Sequence, residues 1–226
     1  MATDSITNKL PIAVLISGRG SNLQAIIDSV ANDQLPAEIR VVISNRPGAA
    51  GLLLAEDAGI VTRVLDHTTF ADRDAFDRAL AELIDGYRAK LVLLAGFMRI
   101  LSPAFVKHFA GRLLNIHPSL LPEFQGLHTH ERVLHANTKR HGASVHFVTE
   151  ELDGGPVIVQ AGVAVFPDDD PDRLAARVLA QEHRIYPLAV RWYAEGRIRL
   201  GEDGVIMDGK ALKMPVLITA ETETGP

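Results

Sequence analysis

The chain has 226 residues, 47% of them hydrophobic, a formal net charge of -5 and no cysteine. That length suits one α/β domain or two small ones, and the apolar content is ample for a core. Without cysteine there is no disulfide, thiolate metal site or thiol nucleophile, and the acidic balance offers no general field to a nucleic-acid backbone. Residues Met1 to Lys9 are polar and lack the apolar stretch of a secretory signal, and charges interrupt every hydrophobic run before it could span a bilayer. The expectation is a cytoplasmic protein with neither membrane nor nucleic acid as partner.

Ile12 to Ile16 is an apolar run without alternation, the pattern of a parallel strand covered on both faces, and it leads into Ser17-Gly18-Arg19-Gly20-Ser21-Asn22. A helix is predicted from about Leu23 to Ala31. Similar runs recur at Ile39–Ile43, Val61–Leu65, Leu91–Ala95 and Leu113–Ile116, with helical spacing between them. Gly59 suits the end of a helix carrying Leu52 to Ala58, and Ser102-Pro103 reads as an N-cap and first-turn pair. This alternation predicts an open, mostly parallel, doubly wound α/β sheet of Rossmann-like type. Ala143–Val148 and Val157–Val165 follow as later strands, and Pro171 opens a long helix to about Ala194 with Leu174, Val178, Ile185, Leu188 and Trp192 broadly on one face. The expected organisation is a single domain with a phosphate-binding βαβ lobe over about 11–116 and a β-rich lobe with the long helix over about 117–200. Glu221 to Pro226 reads as a frayed tail.

A strand, a glycine-rich turn and a helix together aim free backbone N–H groups and the positive end of a helix dipole at an anion, so Gly20, Ser21 and Asn22 suit a phosphate. The same residues also suit a plain tight turn capped by Ser21 or Asn22. A dinucleotide fingerprint is disfavoured: its third glycine would fall on Leu23, and the second strand ends in Ser44-Asn45 without the acid that grips a ribose.

Asn115-Ile116-His117-Pro118-Ser119-Leu120-Leu121-Pro122 delivers an amide and an imidazole at the C-terminal end of a strand, where open α/β sheets place ligands. Asn115 and His117 are two apart on an extended segment and can share a face; an amide donor beside a titratable acid suits oxyanion stabilisation, and the same pair equally suits a core asparagine tied to backbone and a histidine filling a strand end. Asp153, in Leu152-Asp153-Gly154-Gly155-Pro156, fits a turn by its composition, and near an imidazole it would favour the protonated ring. His128, His130, His135, His141 and His146 match no metal-binding spacing, so no metal is expected and these histidines are read as exposed or loop-stabilising.

Taken together, Leu15 to Gln24, Leu94 to Leu101, Asn115 to Pro122 and Glu151 to Pro156 resemble the folate-dependent phosphoribosylglycinamide formyltransferases in order and spacing, from about residue 11 to residue 200. The resemblance implies transfer of a formyl group from 10-formyltetrahydrofolate to the amino group of glycinamide ribonucleotide, with no metal, in a monomer or homodimer. It implies that Gly20, Ser21 and Asn22 cradle the ribonucleotide phosphate and that Glu182 contacts its ribose side. Arg73, Met98, Arg99, Ile100, Leu101, Asn115, Thr149, Glu150, Glu151, Leu152 and Asp153 correspond to folate-contacting positions, and Asn115, His117 and Asp153 to the catalytic trio. A formyltetrahydrofolate hydrolase is the runner-up, with an N-terminal regulatory domain for which the few residues before Pro11 would leave no room. A methionyl-tRNA formyltransferase would be expected to carry a further C-terminal domain. A non-catalytic nucleotide-binding module would explain the glycine turn alone.

Overall fold

The computed structural model describes residues 9–219, in which strands and helices alternate as the apolar runs predict. The predicted strand segments appear as β1 (Leu10–Ile16), β2 (Ala37–Ser44), β3 (Thr62–Val64), β4 (Leu91–Leu94), β5 (Leu113–His117), β6 (Arg140–Phe147) and β7 (Val157–Ala164). The helices are α1 (Ser21–Ala31), α2 (Gly51–Asp57), α3 (Arg73–Gly86), α4 (Pro103–His108), α5 (Thr129–His135) and α6 (Pro171–Ala194). The tail Glu221 to Pro226, and all but the last residue of the polar stretch Met1 to Lys9, lie outside the described residues.

Local chemistry sets the helix starts. Asp72 Oδ1 accepts the Ala75 N–H at 2.8 Å ahead of α3, Ser102 Oγ accepts the Phe105 N–H at 3.3 Å ahead of α4, and Asp170 Oδ1 accepts the Arg173 N–H at 2.8 Å ahead of α6. Pro103 and Pro171 occupy first-turn positions, where the missing N–H has no helical partner to lose. After α2 the chain turns through Gly59 at φ +70, a conformation that strains a residue with a Cβ.

Among the described residues, the main sheet has eight strands in the order β11-β7-β6-β5-β4-β1-β2-β3, where β11 is Val216–Ile218. The run from β5 to β3 is parallel, β6 is antiparallel to both β5 and β7, and β11 is parallel to β7. The β5–β6 pairing crosses the expected boundary near residue 116 and makes the two proposed lobes parts of one sheet. β8 (Ile198–Gly201), β9 (Gly204–Met207) and β10 (Lys210–Ala211) form a small antiparallel sheet. The late strands β8, β9, β10 and β11 are absent from the sequence reading because each is too short to display a period.

The central strands β1 and β4 are buried on both faces, which is why they read as continuous apolar runs. On β1, Ile12, Val14 and Ile16 belong to the core shared with α1 and α6, while Ala13 and Leu15 belong to the core under α3 and α4. The buried Tyr186 of α6 donates its hydroxyl to the carbonyls of Leu94 at 3.0 Å and Leu114 at 3.2 Å, tying the helix to the ends of β4 and β5. The chain moves outward from β1 through β2 and β3, then returns to β4 on the other side of β1. This reversal falls between β1 and β4, whose carboxyl ends are the general ligand position of such sheets. No helix of the described residues is long and apolar enough to cross a membrane.

Candidate active site

The glycine turn meets α1 with Gly20 in the N-cap position at φ +80, and no side chain caps the helix. Neither Ser21 nor Asn22 takes up the capping role open to it in the sequence, so the helix start keeps the character of an anion site. Gly20 is also required sterically: a Cβ there would stand 2.6 Å from Gly51 Cα. Asn22 turns inward and donates from Nδ2 to Glu182 Oε2 at 2.6 Å, while its own Oδ1 is buried without a hydrogen-bond partner. Glu182 stands in the buried stripe of α6, one helical turn from Val178 and from Tyr186. Burial pushes its carboxyl up, and the Asn22 hydrogen bond opposes that shift. A carboxylate in a row of apolar positions, held by a single side chain and beside a helix start, is poised to accept from a hydroxyl-bearing ligand.

At the end of β5 the expected trio converges, though not by direct contacts between all members. His117 is buried; its Nδ1 lies 3.4 Å from Asp153 Oδ2 and its Nε2 donates to the Phe124 carbonyl at 3.0 Å. Both ring nitrogens thus face oxygen acceptors, and an imidazolium can donate to both at once. Asp153 adopts φ +49 in the turn after β6, and its Oδ2 also accepts the Gly126 N–H at 2.9 Å. Gly155 makes that turn possible, because a Cβ on it would lie 1.8 Å from the Phe147 carbonyl oxygen. The loop leaving β5 is fixed from beneath: Ser144 Oγ accepts the Leu121 N–H at 3.0 Å and donates to the Ser119 carbonyl at 2.6 Å, and Gln160 Nε2 donates to the Leu121 carbonyl at 2.8 Å.

Asn115 does not bond to His117. Its Nδ2 donates to His146 Nε2 at 3.1 Å, directly across the β5–β6 register, and His146 Nδ1 donates to the Phe147 carbonyl at 2.9 Å. These bonds specify a neutral His146, and burial holds its pKa down to about 4. His146 Nε2 is also 3.8 Å from Asp153 Oδ1, so one ring touches both Asn115 and Asp153. The reading of the five later histidines as exposed or loop-stabilising is therefore corrected for part of the group. His128 and His135 are exposed, but His141 and His146 are buried side chains of β6, and His130 bonds to His141 at 3.0 Å. Their place on a strand, with Ser144 two before His146 on the same face, was the signal available in the sequence.

The expected folate-contacting positions fall in separate stretches. Arg73 is exposed at the first turn of α3, Met98 and Ile100 are exposed apolar side chains after β4, and Leu101 is half-buried beside them. Arg99 lies with its guanidinium 4.9 Å from the centre of the Phe76 ring. Thr149, Glu150, Glu151 and Leu152 lead into Asp153, with Leu152 exposed. The loops after β4 and β6 thus both present exposed apolar side chains, Met98 and Ile100 on the first and Leu152 on the second.

Residues 10–190 match the formyl transferase family. Over 201 residues the chain is 56% identical to phosphoribosylglycinamide formyltransferase of Escherichia coli (strain K12), covering 89% of this chain and 95% of that protein. It is 46% identical over the same length to the enzyme of that name from Haemophilus influenzae. The structure of phosphoribosylglycinamide formyltransferase from Coxiella burnetii superposes with a TM-score of 0.88 at 50% identity, covering 92% of this chain and 99% of that one. With likeness of this extent in both sequence and fold, and with its polar groups gathered at the strand ends, the chain belongs to the formyl transferase family.

Proposed function

We infer that the protein is a phosphoribosylglycinamide formyltransferase, which moves the formyl group of 10-formyltetrahydrofolate to the amino group of glycinamide ribonucleotide. The products are formylglycinamide ribonucleotide and tetrahydrofolate, and the reaction belongs to de novo purine biosynthesis. Relatives of that name match nearly the whole folded region, and the meeting of His117 with Asp153 beside Asn115 is the observation that carries the mechanism.

The substrate amine attacks the formyl carbon on N10, giving a tetrahedral intermediate with a negative oxygen. Asn115 and the imidazolium of His117 donate to that oxygen, and the formyl oxygen takes the place of the Phe124 carbonyl as the acceptor facing Nε2. Asp153 orients His117 through Nδ1 and sets a carboxylate oxygen against that side of the ring. The C–N10 bond then breaks, N10 gains a proton, the attacking amine loses one, and the trio with solvent carries that exchange. The helix start at Gly20, Ser21 and Asn22 holds the ribonucleotide phosphate, and Glu182 accepts from the ribose. Met98 to Leu101, Thr149 to Asp153 and Arg73 form the folate side. The reaction is placed in the cytoplasm, in a monomer or a homodimer.

Tetrahydrofolate release from 10-formyltetrahydrofolate, followed with and without glycinamide ribonucleotide, tests this reading. Release is expected only with the amine. Equal release in its absence would identify a hydrolase instead.

A further inference from the structure

The segment Met98–Leu101 is tethered at both ends by side chains that the proposed reaction does not use. At its start, Ser17 Oγ accepts the Met98 N–H at 2.8 Å and donates to Asn45 Oδ1 at 2.6 Å, spanning the ends of β1, β4 and β2. At its end, Asp77 of α3 accepts the Ser102 N–H on Oδ2 at 2.5 Å. Asp77 is 1% exposed, and its Oδ1 has no hydrogen-bond partner. A carboxylate that α3 buries against Ser102 carries a desolvation cost that an apolar side chain at that core position would avoid. Burial raises its pKa, with the Ser102 hydrogen bonds, Arg99 and Arg73 acting in the opposite sense. Between the tethers, Met98 and Ile100 are 62% and 61% exposed, unlike the buried strand that leads to them.

We propose that Asp77 and Ser17 are positioning residues for the formyl donor: they clamp the two ends of the Met98–Leu101 segment so that its backbone and apolar side chains are preorganised for a flat heteroaromatic ligand. The proposal rests on the reading of this segment as part of the folate side. The clamp acts on donor binding, because Ser17 and Asp77 grip the segment at the backbone N–H of Met98 and at that of Ser102, the residue that follows Leu101. Ser17 immediately precedes Gly18, so its hydroxyl also joins the donor segment to the phosphate turn.

The test compares Asp77→Ala, Asp77→Asn and Ser17→Ala in the intact protein, with KM for each substrate, kcat, and amide hydrogen exchange at Ser102. Asp77→Ala is expected to raise the donor KM about tenfold, the effect of losing one charge-assisted hydrogen bond, with the ribonucleotide KM near wild type. Exchange at Ser102 should accelerate even without substrate. Asp77→Asn retains an oxygen acceptor and should recover most of the donor KM. An unchanged donor KM in folded Asp77→Ala, a parallel rise in both KM values, or no recovery in Asp77→Asn would overturn the proposal. Should Asp77→Ala fail to fold, Ser17→Ala tests the other tether by the same rise in donor KM, and an unchanged value there counts against the clamp. Ile100→Ala separates the underlying reading: if it leaves the donor KM untouched, the segment does not contact the donor, whereas Ser102 exchange still reports whether Asp77 holds the loop.

Discussion

Asp153→Asn removes a charge at the candidate active site with little change of shape. The atom 3.4 Å from His117 Nδ1 is the same Oδ2 that accepts the Gly126 N–H at 2.9 Å. An asparagine that turns its amide oxygen toward Gly126 therefore keeps that bond and still presents an oxygen to His117. Its NH2 group falls on the side of His146 Nε2, which already accepts from Asn115. What disappears is the negative charge opposite an imidazolium in a largely buried site. Interactions of a hydrogen bond with a charged group are worth about 1.5–3 kcal/mol, so the loss predicts a fall of about ten- to a hundredfold in kcat. Steady-state release of tetrahydrofolate, with both substrates varied, measures it. Both KM values should stay close to wild type, and a thermal melt should show the fold intact. A variant with undiminished kcat would refute the assignment, and so would one whose loss lies wholly in KM.

Three other outcomes follow from the geometry. Glu182→Gln should raise the KM for glycinamide ribonucleotide and leave the donor KM alone, since Glu182 faces Asn22 at the glycine turn; equal effects on both substrates in steady-state kinetics would contradict that placement. Gly20→Ala should destabilise the fold by about 1–2 kcal/mol from backbone strain at φ +80, more with the 2.6 Å approach to Gly51 Cα, and a urea titration showing no loss would contradict the steric reading. Burial holds His141 and His146 to about 4 in the folded protein, against an ordinary value of 6.5. Unfolded rings take up protons as pH falls through 6.5 while the folded rings resist until about 4, so stability is full above pH 6.5 and is lost across that window, by up to about 3 kcal/mol per ring. Urea midpoints at pH 7 and pH 4.5 should differ accordingly, and less so in His141→Asn.

Much of this protein is legible in its sequence because the relevant physics is local. Unalternated apolar runs report strands buried on both faces, Ser102-Pro103 and Asp170-Pro171 report helix starts through bonds spanning three residues, and a strand running into Gly18-Arg19-Gly20 reports an anion-accepting turn. The strand-end position of Asn115 and His117 follows from the same reading. Asp153 is different, since its composition marks only a turn. It becomes a partner of His117 because β6 lies antiparallel to β5 and Gly155 packs against the Phe147 carbonyl, which turns the carboxylate back across the sheet. His146 meets Asn115 through the β5–β6 register, Glu182 meets Asn22 across 160 residues of sequence, and Asp77 meets Ser102 through the packing of α3 against the loop before α4. Strand periodicity specifies which face a side chain takes, but strand order and register decide which distant side chain it meets, and those depend on the closure of the whole core.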